Sequence, residues 1–61
     1  MQEYQKRVLI EREDLKLKIE KLQKFLNNCN RDEVLDFNLL QTQLQVMKTY
    51  LVVLDARIEN F

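Results

Sequence analysis

The chain has no glycine, proline, serine, histidine or tryptophan, and a single cysteine, Cys29. Each absence removes a class of chemistry. Without serine or histidine there is no Ser-His-Asp triad, no Cys-His pair and no imidazole metal ligand. Without glycine there is no phosphate-cradling loop of the nucleotide-hydrolysing kind. One cysteine excludes an intrachain disulfide, and a free thiol suits a reducing compartment. No signal peptide or membrane span is visible, the longest apolar run being Tyr50 to Leu54. A cytoplasmic protein is expected, with no cofactor, no metal and no enzymatic role.

What is present is a helix-forming alphabet. The 61 residues carry ten basic and ten acidic groups, a net charge of zero. There is therefore no whole-chain attraction to nucleic acid or anionic membrane. Residues 1–29 carry seven basic and five acidic groups, and residues 30–61 three and five, so the halves are +2 and −2. Leu, Lys, Glu, Gln and Arg dominate, all good helix formers. The weak point is Asn27-Asn28-Cys29-Asn30. Asn tolerates the left-handed conformation that ends helices. Asn30, with Glu33 three residues on, makes a capping box for a second helix. The reading is an all-α, antiparallel two-helix hairpin and a single domain over 1–61: helix one over about 2–27, a turn over 28–30, helix two over about 31–60.

In the second helix Phe37, Leu40, Leu44, Met47, Leu51, Leu54, Ile58 and Phe61 alternate in steps of three and four, a coiled-coil seam. The first helix answers with Tyr4, Val8, Leu15, Leu22 and Phe25, with Ile19 and Leu26 alongside and Glu11 and Lys18 on the seam. A short turn sets Leu22 opposite Phe37, Leu15 opposite Leu44, Val8 opposite Leu51 and Tyr4 opposite Asp55. Further apolar residues remain: Leu35, Leu39, Val46, Tyr50 and Val53 in the second half, Ile10 and Leu17 in the first. One partner helix cannot cover both sets, and soluble monomers rarely expose such a strip. Hairpins are expected to associate through Ile10, Leu17, Leu35, Leu39, Val46 and Val53. The product is a homo-oligomeric helical bundle, at least a four-helix dimer, in line with the marginal stability of so short a chain.

Few residues carry chemistry. Asp32, Glu33 and Asp36 complement the dipole at a helix start. Glu3–Arg7, Arg7–Glu11, Asp14–Lys18 and Glu20–Lys24 are i,i+4 pairs on solvated faces. Cys29 reads as a small turn residue, since no histidine is available to activate it. Arg12, Lys16, Lys18, Lys21 and Lys24 scatter around the helix instead of forming one stripe, and acids dilute them. The open end of the hairpin gathers Tyr4, Arg7 and Glu11 with Tyr50, Leu54, Arg57 and Phe61. Arginines bind phosphate and aromatic rings stack on bases, so Tyr4, Arg7, Glu11, Tyr50, Arg57 and Phe61 form a candidate site for an anionic aromatic ligand such as a nucleotide. The competing reading makes Arg7 a partner of Glu3 and Glu11, pairs Arg57 with a nearby acid, and treats the aromatics as hydrophobic plugs.

The pattern Glu3-Tyr4-Gln5-x-Arg7-Val8, then Leu15-x-x-Lys18-Ile19-x-x-Leu22-x-x-Phe25, then Leu44-x-x-Met47-x-x-Tyr50-x-x-x-Leu54-x-x-Arg57-Ile58-x-x-Phe61, spans nearly the whole chain. It resembles a family of short helical-hairpin proteins of tailed and crAss-like phages, the Sequestin-like immune-signal sponges. The resemblance implies a phage-encoded anti-defence protein in the cytoplasm of the infected host. Such a protein sequesters a nucleotide-derived immune signal, for example the cyclic ADP-ribose-type signal of Thoeris systems, without cleaving it. The alternatives are a helical-hairpin module that blocks a host or phage protein, and an RNA-loop-binding four-helix-bundle dimer.

Overall fold

The computed structural model describes all 61 residues and is entirely helical. Helix α1 spans Glu3–Asn28 and helix α2 spans Phe37–Glu59, with a 3-10 turn at Arg31–Glu33 between them. The helices pack antiparallel: Tyr4 meets Phe61, Arg12 meets Asp55, and Gln23 meets Lys48. The result is a rod of 47 × 14 × 13 Å with a radius of gyration of 14.3 Å. A compact domain of this length would have roughly 10–11 Å.

The first turn of α1 is held by Gln2, whose carbonyl accepts from the Gln5 and Lys6 amides at 3.1 and 3.2 Å. Gln5 Oε1 returns a bond to the Gln2 amide at 2.8 Å. The far end does not use a left-handed asparagine, because no residue has positive φ. Instead Cys29 swings to extended backbone (φ −91°, ψ 157°), and its amide closes the last turn on Phe25 O at 3.0 Å. The Cys29 thiol donates to Leu26 O at 3.6 Å and packs half-buried against the core, as a small turn residue does.

The connection is longer than a four-residue turn. Asn30 does act as a cap, accepting from the Asp32 amide at 3.1 Å, but what it caps is the 3-10 turn. Val34 then adopts extended backbone (φ −108°, ψ 107°) and packs against the core, which interrupts the helix. The second helix restarts at Phe37, six residues later than the expected Arg31. Arg31 pins this corner. Its guanidinium lies 5.3 Å from the centre of the buried Phe37 ring and donates to Asn38 Oδ1 at 3.1 Å.

The six-residue delay in the start of α2 slides the pairing by the same amount. Tyr4 faces Phe61, not Asp55, and Asp55 is held by Arg12. The slide is close to one heptad, so α2 still buries Phe37, Leu44 and Leu54, with Leu40, Met47, Leu51 and Ile58 partly covered. On α1 the seam turns by one residue. Val8, Leu15, Ile19 and Leu26 are buried and Leu22 is half-buried, so Arg12 and Ile19 occupy the places expected for Glu11 and Lys18. Tyr4 and Phe25, expected on the seam, are 58% and 48% exposed. The reason is apolar matching. The steps Val8-Arg12-Leu15-Ile19-Leu22-Leu26-Cys29 place one charged residue, the half-buried Arg12, on the seam, where the alternative would place both Glu11 and Lys18 there.

No helix is long and apolar enough to cross a membrane. Only seven residues are buried, and Leu54 alone is fully so. Leu54→Ala is expected to cost about 2–5 kcal/mol and to abolish a cooperative thermal transition followed by circular dichroism. Ile10→Ala, at a position 62% exposed, is expected to shift stability by at most about 0.5 kcal/mol. Similar melts for the two variants would contradict this placement of the core.

Candidate ligand-binding face

A helix pair has two broad faces beside its seam, and the polar contacts of this hairpin divide cleanly between them. On one face Arg12 is locked. Its Nε meets Asp55 Oδ1 at 2.6 Å and its Nη1 meets Glu13 Oε1 at 2.6 Å, with 28% of the side chain exposed. Lys48 Nζ donates to Gln23 Oε1 at 3.1 Å on the same side. Hydrogen bonds to Asp55 and then Glu13 push the Arg12 guanidinium to hold its proton more firmly than usual. The arginine on this face is already neutralised.

The other face is built differently. Glu11, turned off the seam by the register of α1, accepts a hydrogen bond from the Tyr50 hydroxyl of α2. Toward the open end, Tyr4 and Phe61 meet edge to face, with ring centres 6.0 Å apart and planes at 81°. Arg57 lies one turn beyond Val53 on the same flank and close enough to Tyr50 for its charge to favour the phenolate. The Arg57 guanidinium makes no ion pair or hydrogen bond within the chain, and the Arg57 carbonyl accepts from the Asn60 amide. Arg7 reaches only Glu3, at 4.0 Å, with both side chains more than 70% exposed. Such a pair holds little energy in water.

The Tyr50 phenol is raised above its ordinary value. The hydrogen bond to Glu11 is the main cause, followed by desolvation and by the Glu11 charge, with Arg57 opposing. The hydroxyl is thus kept as a donor, aimed at a carboxylate.

All six expected site residues therefore share one face. Tyr4 joins Phe61 and Glu11 joins Tyr50, while Arg7 and Arg57 flank these pairs without strong partners. The expected pairing of Arg7 with Glu11 does not form, because Glu11 serves Tyr50. Nor does Arg57 find an acid. The six apolar residues expected to mediate association do not form one surface. Leu39, Val46 and Val53 lie on the outer side of α2, 73%, 63% and 49% exposed. Ile10 and Leu17 lie on α1 roughly 180° from its seam, and Leu35 is fully exposed in the connection.

The Arg12–Asp55 pair was not foreseen from the sequence. The signal for it was present: Arg12 completes the 3-4 stepping between Val8 and Leu15, and the apolar Ile19 and Leu26 favour that register. No cluster of three or more His, Cys, Asp or Glu side chains is arranged to hold a metal ion.

Compared with known protein families, the chain matches Sequestin over residues 2–60. It belongs to the Sequestin family. No curated protein and no solved structure matches it. The Sequestin match runs through both helices and the connection, so every residue of the aromatic–arginine face except Phe61 falls inside it.

In a Tyr4→Phe background, Tyr50 is the sole phenol. Its ultraviolet titration is expected to have a midpoint above the ordinary phenol value, and Glu11→Ala is expected to bring that midpoint down. The folded value is raised, so the stabilising contribution of the hydrogen bond is complete below about pH 10. It is lost as pH rises through the folded value. A midpoint unmoved by Glu11→Ala would mean that Glu11 does not hold the phenol.

Proposed function

We propose that this protein is a phage-encoded anti-defence protein that binds and sequesters a nucleotide-derived immune signal of the cyclic ADP-ribose type, as in Thoeris systems, without cleaving it. Its working site is the bacterial cytoplasm during infection. One observation carries the reading. The unpaired Arg57 guanidinium stands beside Tyr50 on the face that also bears the Tyr4–Phe61 pair, whereas Arg12 on the opposite face is already neutralised by two carboxylates. Guanidinium forks suit phosphate oxygens. Exposed aromatic rings suit a base. Glu11 offers an acceptor for ribose hydroxyls, which an all-cationic face would lack. Sequestration needs affinity alone, and a small chain made in quantity supplies binding capacity stoichiometrically.

A second reading, a module that blocks a host or phage protein, draws on the exposed Leu39, Val46 and Val53. Thermal melts against a panel of cyclic and ADP-ribose-type nucleotides separate the two. Ligand at a hundred times its Kd adds ~2.7 kcal/mol, and Arg57→Ala and Tyr50→Ala are each expected to abolish the shift while the helical spectrum persists. Ligand released by denaturation is expected to be intact by mass. A degraded ligand would make the protein an enzyme. A panel with no shift, together with a co-purifying protein, would favour the second reading.

A further inference from the structure

Eight of the eleven Asn and Gln residues fall between Gln23 and Gln45, and residues 37–47 carry no charge at all. A solvated helix face ordinarily carries charged side chains, so the closed end of the hairpin has amides where Lys and Glu would stand. The fold sets them on two walls. Gln23 and Asn27 belong to α1, and Asn38, Gln41 and Gln45 to α2, around an open groove of about 500 Å³ on the Arg12 side of the seam. Its floor is apolar, made by the buried Leu26 and Leu44.

A side-chain amide can offer either a donor or an acceptor, and two of these amides are fixed. Lys48 Nζ donates to Gln23 Oε1 at 3.1 Å, so Gln23 turns its Nε2 to Asn27 Oδ1 at 3.0 Å. The free polar atom of Asn27 is therefore Nδ2, a donor. On the other wall Arg31 donates to Asn38 Oδ1 at 3.1 Å, which leaves Asn38 Nδ2 free in the same way. A cation stands behind each of these donors and polarises it. The side chains of Gln41 and Gln45 have no hydrogen-bond partner in the chain and are free to supply an acceptor. No charged side chain lines the groove, so nothing there offsets the desolvation of a phosphate.

We propose that this groove binds a single neutral base through a uracil-type edge, in which two carbonyls flank a ring N–H. The carbonyls accept from Asn27 Nδ2 and Asn38 Nδ2. The ring N–H donates to Oε1 of Gln41, which lies nearer the seam than Gln45 at roughly 100° per residue. The flat ring covers Leu26 and Leu44. An adenine edge does not fit, because its amino group would meet an asparagine N–H donor to donor. The groove has the volume of a small-ligand site, and it has no cations to follow a nucleic-acid backbone. It lies across the seam from the aromatic–arginine face and does not depend on what binds there.

The test follows the side-chain amide resonances of the intact chain during titration with uridine, which carries no phosphate for Arg57. The Asn27 and Asn38 signals are expected to shift together, whereas adenosine and N3-methyluridine leave them in place. Asn27→Asp exchanges the donor for an acceptor of the same shape and is expected to weaken uridine binding roughly tenfold. Lys48→Met does not touch the groove but releases Gln23, and is expected to weaken uridine binding several-fold, which a lysine acting only as surface charge would not do to a neutral ligand. Hexauridylate is expected to bind no more tightly per base than uridine. Asparagine signals unmoved by uridine, equal shifts with adenosine, full uridine affinity in Asn27→Asp or Lys48→Met, or tighter binding of hexauridylate would each overturn the proposal.

Discussion

Two helices joined once share a single line of contact, and every other property of this hairpin depends on how that line is chosen. The apolar residues of α1 and α2 are arranged so that one rotation of each helix buries Val8, Leu15, Ile19, Leu26, Phe37, Leu44 and Leu54 together. This small core is the main apolar contribution holding the rod against the conformational entropy of the chain. The seam also fixes which residues are left outside. Because an α-helix turns roughly 100° per residue, moving the seam of α1 by one residue reassigns every side chain on its flanks.

That sensitivity explains what was legible in the sequence and what was not. Helix type, and the extent of the first helix, followed from composition and the absence of breakers. The inner stripe of α2 was readable residue by residue, since eight positions keep strict 3-4 steps. Axial pairing was not, because a heptad pattern looks nearly the same after sliding seven residues. Only the connection decides the slide. Asn30 signalled a cap, but nothing local announced that Val34 would leave the helix to join the core. The rotation of α1 was ambiguous for a related reason: Val8, Leu15 and Leu22 belong to both candidate seams, and Ile19 and Leu26 had to outweigh Tyr4 and Phe25. The grouping of Tyr4, Arg7, Glu11, Tyr50, Arg57 and Phe61 survived both errors. The slide moved Phe61 onto Tyr4, and the rotation brought Glu11 out to the flank where Tyr50 stands.

The two flanks then acquire different electrostatics from similar residues. Each holds arginine and carboxylate, yet Arg12 lies near enough to the seam for two short charge-assisted bonds, while Arg7 and Arg57 stay in solvent. Partly desolvated ion pairs are stronger and less screened than exposed ones. The Arg12 side is thereby committed to structure. On the other side the carboxylate of Glu11 is occupied by a neutral phenol instead of a guanidinium, so the positive charge there is not cancelled.

Glu11 is where these strands of argument meet. Were the α1 seam to pass through Glu11, its carboxylate would lie under α2 and Tyr50 would lose its acceptor. Arg12 would turn away from Asp55 at the same time, and the positive charge would be redistributed across both faces. The apolar preference for Ile19 over Lys18, two turns away, prevents this. A packing choice made by one isoleucine thus sets the hydrogen-bonded state of a tyrosine and the availability of an arginine elsewhere on the rod. Side chains that touch no ligand can in this way decide whether a binding face exists.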